Sequence, residues 1–332
     1  MTNLFLLSLI GFISGIFTGF FGVGGGFFLT PTLNILGLQI VYAIGTSFFA
    51  LVGKALFGAW RHLRLGNIHL KLGMILGLTS IGGVELGKRF VLYLERQNLA
   101  GTSIRVTYII ILILISFFML REYLSRTKTT ADNQEGKGTQ GQEKSSLPMR
   151  IVSKIRLSPK ITLHESEIGS ISCWVLVAVG VLIGFLSGAL GVGGGFISLP
   201  LLIYAIGVPA IMAVGTSLII VFLTSSYGAF AYAITGHVEG ITAVVILVGS
   251  LLGVQLGVMA AKTAAEMRIK VLFALLLLCV AFSVFLKQVG MTVLGGYLVV
   301  STACALCFII IWPVSRDYFV KILIRNKPKS QS

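Results

Sequence analysis

Gly15-Ile16-Phe17-Thr18-Gly19, then Gly22-Val23-Gly24-Gly25-Gly26-Phe27 and Pro31, returns in the second half of the chain. The copy reads Gly184-Phe185-Leu186-Ser187-Gly188, then Gly191-Val192-Gly193-Gly194-Gly195-Phe196 and Pro200. Outward from this core the match continues: Gly45-Thr46-Ser47 with Gly215-Thr216-Ser217, Gly58 with Gly228, Gly66 with Gly236, and Gly83-Val84-x-Leu86-Gly87 with Gly253-Val254-x-Leu256-Gly257. Spacing kept in order over so many positions marks an internal duplication. Both copies lie in apolar runs, so the duplicated unit belongs in a membrane.

Composition agrees. Of 332 residues, 56% are hydrophobic and 11% charged, against about 25% charged in a soluble domain. Apolar runs near the length of a bilayer crossing recur along the chain. The net charge of +15 gathers in short gaps and tails, the distribution of the positive-inside rule, and no motif supports nucleic-acid binding. Cys173, Cys279, Cys304 and Cys307 lie in or beside apolar runs, where structural disulfides are not expected; Cys304 and Cys307 form a CxxC, but with no second pair it reads as a small-residue helix face over redox chemistry. Met1–Phe21 lacks the cationic start of a cleaved signal and is copied later, so it is expected to stay in the mature protein.

The pattern predicts an all-α polytopic membrane protein of two inverted repeats, each with a glycine-broken helix, plus one extra C-terminal transmembrane helix. The first repeat covers 1–121, a hydrophilic cytoplasmic linker 122–170, the second repeat 171–287, the extra helix 288–314 and a basic cytoplasmic tail 315–332. Spans are expected near Leu4–Phe21, Tyr42–Trp60, Leu72–Gly87 and Val106–Leu120, repeated near Ile171–Leu190, Ile211–Ile234, Ile241–Ala261 and Val271–Leu286. Phe27–Leu38 and Phe196–Gly207 are too short to cross and suit half-length helices. Ile151–Leu163 mixes cations with apolar residues and suits the headgroup layer. The basic clusters (Arg61, Arg64 and Lys71; Lys262, Arg268 and Lys270; the linker; the tail) share one side only if each glycine-broken pair makes an even number of crossings. The halves are then inverted. Lys88, Arg89, Arg96 and Arg105 dissent, offset by Glu95.

A glycine run at membrane depth breaks its helix and exposes N–H groups that form an anion-holding nest, with the next helix N-terminus adding partial positive charge. Gly22, Gly24, Gly25 and Gly26 of one half and Gly191, Gly193, Gly194 and Gly195 of the other could clasp one small anion; close helix packing is the other role for such glycines. Thr46, Ser47, Thr216 and Ser217 could coordinate the anion or bond back to their own helices. Lys54, matched by Thr224, offers a cation inside an apolar run or a snorkelling amine. Glu85, matched by Gln255, is the coupling candidate. His62, His69 and His237 read as surface residues without metal-ligand spacing.

The doubled Gly-x-x-Ser/Thr-Gly-x-x-Gly-Val-Gly-Gly-Gly-Phe-x-x-x-Pro pattern with Gly-Thr-Ser following, from about Leu4 to Leu286, resembles the TauE/SafE family of sulfite-exporter-type permeases. The resemblance implies an inner-membrane secondary transporter of a sulfur-containing anion, driven by an ion gradient with a proton as coupling ion. Its path would be lined by the glycine runs and the Thr-Ser pairs. The long linker, the extra helix and the charges at Lys54 and Glu85 depart from the family pattern. No cofactor, metal, catalytic residue or nucleic acid is implied; lipid and the anion are the expected partners, and homo-oligomerisation stays open. An anion channel of the same fold and an intramembrane enzyme are the competing functions, the latter lacking a catalytic dyad or metal cluster.

Overall fold

The computed structural model describes residues 4–132, 160–162 and 170–325. The helices are α1 (Leu4–Phe21), α2 (Gly26–Ile35), α3 (Ile40–Arg64), α4 (Leu70–Arg96) and α5 (Ala100–Asp132). The second half repeats them as α6 (Cys173–Leu190), α7 (Gly195–Tyr204), α8 (Ala210–Ile234), α9 (Gly240–Thr263) and α10 (Glu266–Gln288), and α11 (Thr292–Arg325) follows. Among the described residues nine helices are long and apolar enough to cross a membrane. Large apolar side chains such as Ile110, Phe117, Leu252 and Phe282 point outward, as a lipid-facing surface requires.

Helix ends follow local chemistry. Gly66 and Gly236, at φ +73° and +76°, close α3 and α8. There the N–H groups of Asn67 and His237 turn back to the carbonyls of His62 and Tyr232. α5 runs past Leu120 to Asp132, because Arg121–Asp132 contains neither Gly nor Pro and nothing stops the helix as it leaves the apolar zone. One departure from an all-helical chain lies in the linker, where β1 (Lys160–Thr162) pairs antiparallel with β2 (Ser170–Ser172). Most of the headgroup-binding stretch expected over Ile151–Leu163 lies outside the described residues.

The register of helix contacts fixes chain direction. Along α1, Gly11, Gly15 and Gly19 meet Ile246, Ser250 and Val254 of α9 in turn, so the two helices run parallel. Gly180, Gly184 and Gly188 of α6 meet Leu76, Ser80 and Val84 of α4 in the same way. α3 is parallel to α9 (Gly53 on Leu247, Gly58 on Val254) and α4 to α8 (Gly73 on Ile219, Gly77 on Leu223). α3 and α8 cross antiparallel, with Phe48 on Gly228 and Gly58 on Leu218. Hence α1, α3 and α9 point one way and α4, α6 and α8 the other. Each of α1, α3 and α4 opposes its counterpart, which makes the repeats inverted about an axis lying in the membrane plane. Because α1 and α3 share a direction, the glycine break and α2 between them must bring the chain back, the even count that the basic clusters required.

Arg61, Arg64, Lys71, Lys262, Arg268 and Lys270 accordingly gather at one end of the bundle, where α5 also finishes and α6 begins. The dissenting cations at the other end are better compensated than expected. Glu85 pairs with Lys88 at 3.0 Å and Arg89 at 2.9 Å, and Glu95 lies 3.3 Å from His237. The extra helix α11 covers α10, tied by a 2.6 Å bond from the Ser283 hydroxyl to the Gly295 carbonyl.

Candidate functional site

Each half breaks where backbone geometry admits only glycine without strain. Gly22, Gly24 and Gly25 have φ of +71°, +75° and +72°, and Gly191, Gly193 and Gly194 have +70°, +72° and +78°. The two loops meet: a Cβ on Gly26 would fall 2.8 Å from Val192 Cα, and one on Gly195 would fall 2.6 Å from Val23 Cα. Leu51 and Val221, symmetry counterparts on the crossing helices α3 and α8, close over Gly24 and Gly193. All ten loop residues are buried. Among the described residues no backbone carbonyl accepts from the N–H groups of Val23, Gly24, Gly25, Gly193 or Gly194. Two buried loops with unpaired donors therefore meet at the centre of the protein.

Lys54 lies midway along α3 beside the first loop and is 0% exposed. It does not snorkel. Its Nζ donates to Ser14 Oγ at 3.2 Å, and Ser14 Oγ donates to the Gly11 carbonyl at 2.9 Å. The Ser14 carbonyl lies 2.6 Å from where Gly25 would carry a Cβ, which puts this pair directly under the loop. None of the described carboxylates pairs with Lys54. A buried ammonium with one neutral partner is unstable unless a counter-charge arrives.

The two-fold is broken here. At the counterpart position, Thr224 donates to the Gly193 carbonyl at 2.6 Å and to its own helix. Ser14, Thr18 and Ala55 of the first half are replaced by Ile183, Ser187 and Ser225 in the second. Ser187 and Ser225 are buried with hydroxyls that have no partner. Ser225 Oγ lies 2.8 Å from the Cβ position of Gly193. At these matched positions one half thus brings the cation and the other brings unsatisfied hydroxyls. The duplication pattern did not single out Ser14 or Ser225, because their polarity is not repeated; Ser187 stood in the repeated motif opposite Thr18, and Thr224 was visible as the partner of Lys54.

The hydroxyl pairs divide. Thr46 Oγ1 accepts from the Glu239 N–H at 3.0 Å and Thr216 Oγ1 from the His69 N–H at 2.9 Å, so each threonine pins a turn of the opposite half. Ser217 donates to the Gly22 carbonyl at 2.6 Å and to Val214 of its own helix at 2.9 Å. Ser47 is buried without a partner, since the Gly191 carbonyl that matches its symmetry position accepts from Thr30 at 3.0 Å. Glu85 is not brought to the centre: besides its two cations it accepts from the Tyr227 hydroxyl at 2.9 Å.

His62 is not at the surface. α3 continues beyond Trp60, so His62 faces α1 at 1% exposure, its Nε2 3.1 Å from the Gly19 carbonyl. Its counterpart Tyr232 donates to the Gly188 carbonyl at 2.9 Å. His69 instead caps α4 by accepting from the Leu72 N–H.

Inverted repeats, a lipid-facing exterior and broken helices that meet at a polar centre define a polytopic membrane transporter. Residues 7–284 match the family described as Sulfite exporter TauE/SafE, and the chain belongs to that family. It is 27% identical over 260 residues to the probable membrane transporter protein YunE of Bacillus subtilis, covering 76% of this chain and 86% of the relative. A probable membrane transporter protein of Haemophilus influenzae is 29% identical over 311 residues, 86% of this chain and 99% of its own length. One from Methanocaldococcus jannaschii is 26% identical over 241 residues, covering 71% and 74% respectively. No solved structure matches the chain.

Proposed function

We propose that this transporter is a secondary carrier of a small anion, of the sulfite, sulfur-oxyanion or organosulfonate type, driven by an ion gradient with the proton as coupling ion. Its site comprises the two glycine loops with Lys54. The observation that carries this reading is the buried Lys54 amine, without a carboxylate, beside two loops that meet and carry unpaired N–H groups. The family description names sulfite export, which favours the sulfur anions. A channel of the same fold is disfavoured by the contact of the two loops and the burial of all their residues, which fit an occluded state of an alternating carrier better than an open path. By the positive-inside rule, the end bearing Arg64 and Lys262 faces the cytoplasm, in an inner-membrane setting.

Uptake of radiolabelled sulfite into liposomes, with and without a pH gradient, tests the proposal alongside Gly25→Leu and Lys54→Ala. Saturable, gradient-driven flux lost in folded Gly25→Leu supports it. Absence of flux for sulfite, thiosulfate and a panel of organosulfonates overturns the sulfur-anion assignment. Glu85→Gln separates two roles in the same assay. Flux kept but freed from the pH gradient marks Glu85 as part of coupling, whereas unchanged coupling in a less stable protein marks a structural ion cluster.

A further inference from the structure

Lys54 is the buried lysine beside the glycine loops, and its surroundings restrict the charge of the anion it can meet. Each glycine break joins the C-terminal end of one helix (α1 or α6) to the N-terminal end of the next (α2 or α7). The partial negative and positive charges of those ends fall within one short loop and largely cancel. What remains is a single lysine amine, able to carry one positive charge, with neutral donors around it: the loop N–H groups and the unpaired hydroxyls of Ser225 and Ser187. Among described residues, the other mostly buried lysine, Lys270, sits at the basic end of the bundle, over the Tyr204 ring, and not at the loops.

We infer that the central site takes a singly charged anion with one small oxyanion headgroup, a sulfonate, hydrogensulfite or carboxylate, and discriminates against divalent anions of the same size. This rests on the proposed carrier function and narrows its substrate class. A monoanion meets Lys54 with no charge left over in a closed, low-dielectric centre. A dianion leaves one negative charge uncompensated, which is disfavoured at such depth. Packing favours a small headgroup: a Cβ on Gly26 or Gly195 would already meet the opposing loop's backbone, at 2.8 Å and 2.6 Å.

Methanesulfonate and sulfate separate charge from shape, since both are compact tetrahedral anions. Binding of each to the purified full-length protein is measured by thermal stabilisation and by competition with labelled sulfite at fixed pH and ionic strength. Methanesulfonate is expected to bind more tightly than sulfate by about tenfold or more, the equivalent of at least 1.4 kcal/mol. In Lys54→Met, which keeps the side-chain length without the charge, methanesulfonate affinity should fall by a similar factor, and in Lys54→Arg it should be largely kept. Sulfate binding as tightly as methanesulfonate, or Lys54→Met retaining affinity, overturns the inference while leaving an anion carrier in place. Failure of every anion to bind overturns the carrier proposal itself. Should Lys54→Met fail to fold, the comparison of the two anions on the unmodified protein still decides.

Discussion

Ser47 and Ser217 occupy matched places in the two halves yet do different work. Ser217 donates to the Gly22 carbonyl, so Ser217→Ala leaves a buried acceptor of the first loop unpaired. The loss is expected to be about 1 kcal/mol or more, read as a lower midpoint of thermal unfolding in detergent. Ser47 makes no such bond, and Ser47→Ala should leave that midpoint nearly unchanged. Lys54 behaves oppositely to a stabilising residue: removing a buried, uncompensated charge in Lys54→Met should raise the unfolding midpoint even as anion binding is lost. A rise without loss of binding would detach the lysine from the site. Lys54 could be picked out from sequence as a charge in an apolar run. That Ser14 is its partner, and that no described acid answers it, depended on the path of α1, which no local pattern encodes.

Glycine works differently in the helices and in the breaks between them. In α1 and α6 it permits backbone contact. A Cβ on Gly15 would stand 2.2 Å from the Ser250 carbonyl oxygen, and one on Gly184 would stand 1.9 Å from that of Ser80. Gly15→Leu and Gly184→Leu should each prevent assembly of the folded monomer, seen as loss of the monodisperse peak in size-exclusion chromatography. Gly82, also within a helix, has nothing within 4 Å of its Cβ position. Gly82→Ala should be tolerated and stabilise by up to about 1 kcal/mol through helix propensity. Glycine thus serves close packing along the seams and positive-φ backbone at the breaks. Helix number and order were legible from apolar runs and the duplication, whereas α5 outran its apolar run because its polar continuation contains no breaker.

Across the whole molecule, inversion places matched turns on opposite sides of the membrane. In a background freed of Cys173, Cys279, Cys304 and Cys307, Leu65→Cys should react with an impermeant thiol reagent only after the cell membrane is opened. Thr235→Cys, its repeat-level counterpart, should react in intact cells. Labelling of both from the same side would refute the inversion. The duplication, the helix breaks and the charge asymmetry follow from residue order alone, because glycine at membrane depth, apolar run length and cation clustering are local properties. Only the tertiary structure decided that the breaks meet, that Thr46 and Thr216 pin the opposite half, that His62 is buried, and that Glu85 belongs to an ion cluster. Each of those depends on which helix lies against which, and in this protein the closest pairings, α1 with α9 and α4 with α6, join segments far apart in the chain.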